Sequence, residues 1–137
     1  MRQEIKPILK DEVLDQHCQN LRVVMETKQL FLRPNLSLRD LSNETGIQVD
    51  EVKKVLSERL QLSFFEFISE YKVNEAKRLL TNIREDQFSI SAIAIQSGFN
   101  TKDSFSTIFK QHTNISPEEY RIKYFRIDPD SNVSYKD

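Results

Sequence analysis

The sequence predicts an all-α fold of about seven helices: two helix-turn-helix subdomains joined by a long central helix, with a lead-in helix ahead of them. Three observations predict it. No stretch of useful length alternates apolar and polar residues at the period of a strand. Apolar residues recur instead three and four apart, between clear helix start and stop signals. The only two glycines of the chain, Gly46 and Gly98, close matching phrases. These are Leu41-Ser42-Asn43-Glu44-Thr45-Gly46-Ile47 and Ile93-Ala94-Ile95-Gln96-Ser97-Gly98-Phe99. In both, a small residue, Ser42 or Ala94, precedes the glycine by four positions and lets two helix backbones approach. The glycine can take positive φ at the end of the first helix. The large residue after it, Ile47 or Phe99, is expected beneath the turn. A short glycine-bearing turn between steeply crossed helices is the mark of a helix-turn-helix.

The elements follow in order. Residues 1–10 are polar and are expected to be loose. From Asp11 to about Phe31 a helical stripe of Leu14, Cys18, Leu21 and Met25 runs until Pro34 breaks it. Such a stripe docks on its own domain or, as a minority reading, forms a dimer seam; it is short for a coiled coil. Ser37 is an N-cap with Asp40 at the third helical position, and the helix carrying Leu38 and Leu41 ends at Gly46. The next helix starts near Gln48-Val49 and buries Val52, Val55, Leu56 and Leu60. Ser63-Phe64-Phe65-Glu66 is a capping box for the central helix, which runs to about Leu80 with Phe67, Ile68, Tyr71, Ala76, Leu79 and Leu80 as core positions. Residues 81–87 form a polar break. Ser89 caps a short helix through Ile90, Ile93 and Ala94. A further helix, from near Asn100-Thr101 to Asn114, buries Phe105, Ile108 and Phe109, whose i, i+4 aromatic pair belongs to a core rather than a base-stacking platform. Ser116-Pro117-Glu118-Glu119 opens the last helix, which carries Tyr120 and Tyr124. Residues 127–137 read as a disordered tail. The expected organisation is 1–35 lead-in, 36–80 first unit with the central helix, 81–126 second unit, and 127–137 tail.

Composition narrows the function. The 137 residues suffice for one compact core. No apolar run reaches the roughly 18–20 residues of a membrane span, and the polar N-terminus with Lys6 and Lys10 carries no secretory signal. The single cysteine, Cys18, leaves no internal disulfide and no multi-cysteine zinc finger, and a reducing, cytoplasmic location is expected. No glycine-rich phosphate loop, metal-ligand cluster or nucleophile with a base partner is present, so no enzyme activity, metal or cofactor is expected. His17 and His112 are isolated and read as surface residues. Net charge is −1, and residues 36–126 hold 13 basic and 13 acidic side chains. A face that meets phosphates must therefore be made by segregating charge.

The stretch from Leu36 to Tyr124 resembles the DNA-binding domain of the AraC/XylS family of transcription regulators. The residues that carry the resemblance are Leu36-Ser37-Leu38-Arg39-Asp40-Leu41-Ser42 with Gly46-Ile47, and Glu75-Ala76-Lys77-Arg78-Leu79-Leu80. Ile93-Ala94 with Gly98-Phe99, Phe105, Phe109-Lys110, Ser116-Pro117 and Tyr120-Arg121 complete it. The resemblance implies a DNA-binding transcription regulator whose two recognition helices enter successive major grooves. A central helix of ~17 residues spans roughly 25 Å, which with the helix diameters suits a groove spacing of roughly 34 Å.

Carried onto this sequence, the base-reading candidates are Asp50, Lys53 and Lys54 in the first unit and Lys102, Asp103, Ser106 and Thr107 in the second. The phosphate-contact candidates are Gln48, Asn100, Thr101 and Lys110, at or near helix starts. Lysine can donate to guanine or phosphate, and the Thr107 methyl can touch thymine, whereas Asp50 and Asp103 fit cytosine or repel. Lys53 and Lys54 also fit a plain solvated face. Thr107, Gln48, Gln61 and Lys72 depart from the residues common in the family, and Asp50 with Glu51 makes the first recognition helix acidic. The second unit is therefore expected to supply more phosphate affinity. The alternative is a helix-turn-helix module that docks a protein partner and has lost tight DNA binding. Double-stranded DNA is the expected partner, with RNA polymerase or a sensor domain of a longer chain beside it. Only 35 residues precede the first unit, so the chain is expected to be the C-terminal output half of a larger regulator. A dimer through the N-terminal helix or a missing domain is also open.

Overall fold

The computed structural model describes residues 2–82 and 88–125, with side chains from residue 10 onward. Seven α-helices follow one another: α1 (Arg2–Lys28), α2 (Leu38–Thr45), α3 (Val49–Lys54), α4 (Phe64–Thr81), α5 (Ile90–Gln96), α6 (Lys102–Thr113) and α7 (Pro117–Tyr124). A 3₁₀ turn, Leu30–Leu32, follows α1, and a π-helical segment, Val55–Leu60, continues α3. Among the described residues there is no strand. None of their helices is long and apolar enough to cross a membrane. The chain divides inside α4 into two compact units, 1–68 and 69–137. The expected tail at 127–137, and most of the expected polar break at 81–87, lie outside the described residues.

In the first unit, α1 packs on α2 and on the π-helical segment, and α2 packs on α3. Leu14, Leu21 and Met25 are buried and Cys18 is half-buried, so the stripe of α1 is consumed within its own unit. The Arg59 guanidinium grips Asp15 of α1, Nε donating to Oδ1 at 2.8 Å, and this partner holds the Arg59 pKa above its usual value. Three expectations about this region are corrected. Residues 2–10 are helical rather than loose: Arg2, Gln3, Glu4, Lys6, Leu9 and Lys10 are good helix formers, and the helix continues through Pro7. The α-helix stops at Lys28 rather than near Phe31, because Gln29 turns left-handed (φ 49°) and the chain tightens into the 3₁₀ turn. His17 is half-buried rather than a plain surface residue. It lies on the face of α1 that, with Lys10, Val13 and Leu14, borders a hollow of about 410 Å³ opposite Glu51 and Lys54.

The start signals act as read. Ser37 and Asp40 form a reciprocal capping box, as do Ser116 and Glu119. Ser63 and Glu66 exchange the same two bonds at 2.8 and 3.0 Å. Each cap is worth about 1 kcal/mol. The Ser116 backbone and hydroxyl bonds hold the Glu119 carboxyl below its usual pKa. Gly46 (φ 75°) and Gly98 (φ 100°) both take positive φ, and Ile47 and Phe99 are buried beneath their turns. Ser42 is more than small: its hydroxyl donates to the Ile47 carbonyl at 2.5 Å and pins the first turn.

In the second unit, Val73, Ala76, Leu79 and Leu80 of α4 form one core with Ile93, Ala94, Phe99, Phe105 and Phe109. Phe99, Phe105, Phe109 and Tyr120 stack as a chain of rings with centroids 5.1–5.5 Å apart. Tyr71, expected in the core, is half-buried, and Val73 is buried in its place. Two residues along a helix turn the side chain by about 200°, so the two positions cannot both face inward.

The π-helical segment ends on Gln61, at φ 55° and ψ 40°. A residue with a Cβ pays about 1–2 kcal/mol for that conformation. Gln61→Gly is therefore expected to raise stability by up to about 1 kcal/mol, the rest being offset by the greater freedom of glycine in the unfolded chain. The urea midpoint checks this; a lower midpoint would show that the glutamine side chain contributes more than the backbone relief.

Candidate nucleic-acid interface

The candidate residues fall on two helix faces. On α3, Asp50, Lys53 and Lys54 occupy positions i, i+3 and i+4, which share a side of a helix. Val52 of the same helix is fully buried, so the packing turns Asp50 and Lys53 outward. Lys54 is half-buried and reaches Glu51 at 4.0 Å. The first face is mixed in charge, as the sequence implies. Gln48 is the N-cap of α3, but its side chain makes no capping bond and stays exposed. The backbone N–H groups of the first turn are thus not shielded by a side-chain cap.

On α6, Phe105 and Phe109 are fully buried and fix the orientation of the helix. The other side presents Asp103, Thr107 and Lys110, all exposed, with Ser106 half-buried beside them; Lys102, three residues before Phe105, shares the inward side but is exposed because it opens the helix. Thr101 caps α6: its hydroxyl oxygen accepts from the Ser104 N–H at 3.0 Å. The hydroxyl proton is still free to be donated to a phosphate oxygen. Asn100 is exposed in the same turn. The second unit therefore gathers two lysines, the cap of α6 and an adjoining amide along α6, a denser donor set than α3 offers.

Two features escaped the sequence reading. Lys102 Nζ lies 3.9 Å from the Glu118 carboxylate of α7. Lys72 of α4 is half-buried, with its ammonium 5.5 Å from the centre of the Phe99 ring, and burial pushes its pKa down. A cation over an aromatic face is attracted to the ring quadrupole, so Lys72 braces the residue that anchors the second turn. The signal for it was the lysine standing where the family commonly has arginine. The pairing of Lys102 with Glu118 had no local signal, because the partners are brought together by the packing of α6 against α7.

A family model described as a helix-turn-helix domain matches residues 41–123. Among curated relatives, an HTH-type transcriptional regulator of Staphylococcus aureus (strain COL) is 32% identical over 114 residues, which are 83% of this chain and 14% of that protein. The HTH-type transcriptional activator RhaR of Mannheimia succiniciproducens is 24% identical over 89 residues, 65% of this chain and 31% of that protein. The chain thus spans less than a third of either relative. Among solved structures, an AraC-type DNA-binding domain-containing regulator from Chromobacterium violaceum superposes with a TM-score of 0.69 at 23% identity, covering 83% of this chain and 99% of that one. The C-terminal domain of AraT, a response regulator from Geobacillus stearothermophilus, gives 0.65 at 19% identity, covering 87% and 93%. These two likenesses show the fold. With the family match over more than half the chain, and with both glycine turns formed, the chain belongs to the family of AraC-type helix-turn-helix DNA-binding domains.

Proposed function

We infer that this chain is the DNA-binding output domain of a longer transcription regulator, reading double-stranded DNA with α3 and α6. The observation that carries the reading is the face of α6 that bears Asp103, Thr107 and Lys110, held outward by a fully buried aromatic side, with Lys102 exposed at the first turn of the same helix. Lys102, Asp103, Ser106 and Thr107 read base edges in a major groove, and Lys110, Asn100 and Thr101 hold phosphates. Asp50, Lys53 and Lys54 read a second groove, with Gln48 at its phosphate edge. Two reading helices on one chain predict a bipartite site with centres about one helical turn, roughly 34 Å, apart. A sensor domain in the same longer protein and RNA polymerase are its partners, and its location is the cytoplasm. A dimer would form through parts of the longer protein, since the apolar stripe of α1 is already used within the first unit.

The test is the salt dependence of binding to duplex DNA. Affinity should fall linearly on a log–log plot against salt. Lys110→Ala should weaken binding to all sequences alike and lower the slope by about 1. Lys102→Ala should cost about 1–3 kcal/mol at one base step and relax the preference there. Equal losses on every sequence would make Lys102 a phosphate contact. No binding to any duplex in low salt would replace this reading with a protein-docking module.

A further inference from the structure

We propose that Glu118 is a specificity-determining residue of the DNA interface: it holds Lys102 in the DNA-free protein, so that α6 gives up the lysine to a matching base but yields little to phosphate alone. This rests on the reading of α6 as a recognition helix.

Glu118 and Glu119 both open α7, where carboxylates are favoured by the helix dipole. They do different work there. Glu119 closes the capping box, its Oε1 accepting from the Ser116 N–H at 3.0 Å while its own N–H donates to the Ser116 hydroxyl at 3.0 Å. Glu118 takes no part in that cap. Its carboxylate points across to α6 and stands 3.9 Å from Lys102 Nζ, with both side chains about half exposed. On α3 the same arrangement recurs: Glu51 is 4.0 Å from Lys54. Two of the four candidate lysines therefore have a carboxylate within 4.0 Å. This gives a physical form to the formal neutrality of residues 36–126.

A DNA phosphate brought to Lys102 meets the Glu118 charge as well. Non-specific binding consists almost wholly of such phosphate contacts, so it bears this repulsion in full. A correct base pair gives Lys102 an acceptor in the groove, which replaces the carboxylate with a directed bond. The counter-charge thus weakens wrong sites more than right ones, which is how specificity is gained by disfavouring competitors.

The experiment compares the 137-residue chain with its Glu118→Gln variant on mixed-sequence duplex and on duplex selected from a random pool. Glu118→Gln should tighten mixed-sequence binding by about two- to fivefold, the worth of an exposed ion pair, and shrink the ratio between selected and mixed duplex. Lys102→Ala should abolish that gain when combined with it, because the effect passes through Lys102. An unchanged ratio, or a gain that survives Lys102→Ala, overturns the proposal and leaves the DNA reading intact. Failure of both the unaltered chain and the variant to bind either duplex in low salt overturns the DNA reading and this proposal together. Glu119→Ala serves as the contrast: it should lower the melting temperature by more than Glu118→Gln, because it removes the acceptor of the Ser116 N–H, whereas Glu118→Gln loses only an exposed ion pair and its charge at the helix start.

Discussion

Phe105→Ala is expected to lower the unfolding free energy by about 3–5 kcal/mol, the range for emptying a fully buried aromatic site. Phe105 has no exposed surface and sits between two other rings, 5.1 Å from Phe99 and 5.5 Å from Phe109. Phe109 in turn meets Tyr120 edge to face at 5.2 Å. The alanine would leave a cavity at the middle of this chain of rings, and each neighbour would lose contacts that relaxation cannot restore. The cost is compounded because Phe105 holds the inward side of α6. Urea unfolding followed by far-ultraviolet circular dichroism checks the prediction. The midpoint should fall sharply, and DNA binding should weaken in step with the loss of folded protein. A loss under about 1 kcal/mol would fall far short of the cost of emptying a packed core site, and would mean that the ring cluster does not form.

The contrast between what the sequence disclosed and what it hid follows from range. Ser37, Ser63, Ser89 and Ser116 were legible as helix starts because a cap is a contact within three or four residues. Gly46, Gly98 and Asn114 were legible as stops because positive φ is a property of the residue itself. The inward faces of α5 and α6 were legible from periodicity. Gln29, Asn35 and Gln61, left-handed without being glycine, were not read as such. Glutamine has no preference for that conformation, and Asn35, which does, stands beside Pro34, whose break is already legible in the sequence. The π-helical winding of Val55–Leu60 was hidden as well. It buries Val55 and Leu56 as expected but leaves Leu60 only half-buried, since the wider turn rotates the residues after it. In the interface, the identity of the candidate residues came from the family resemblance, and the outward orientation of those on α3 and of Asp103, Thr107 and Lys110 on α6 followed from Val52, Phe105 and Phe109 packing inward. Their partners did not. Lys102 with Glu118 and Lys72 with Phe99 join residues 16 and 27 positions apart, a separation at which no local pattern says which side chains meet.

Gly98→Val is expected to cost about 3 kcal/mol, the upper end for backbone held in a sparsely populated region, and to misdirect α6. Gly98 sits at φ 100°, and valine, branched at Cβ, resists any positive φ. The turn cannot relax without loss, because two bonds depend on it. The Gly98 N–H donates to Ile95 at 3.1 Å, and the Phe99 N–H donates to Ala94 at 2.9 Å. Together they are the paired bonds that close a helix on a left-handed residue, and they deliver Phe99 to the core three residues before α6 begins. A valine that swings to negative φ pulls Phe99 off Phe105 and off the Lys72 ammonium and shifts the Thr101 cap. A valine that stays pays the strain. Either outcome lowers the melting temperature, and the first also removes the α6 face from its place, so DNA binding should fall by more than the unfolded fraction accounts for. Gly98→Ala should cost less, about 1–2 kcal/mol, and Gly98→Asn least, since asparagine tolerates the left-handed region best among residues with a Cβ. The order valine, alanine, asparagine in loss of stability separates backbone strain from side-chain crowding. Melting of the valine variant at the wild-type temperature would contradict the turn, and equal losses for all three would point to crowding rather than φ.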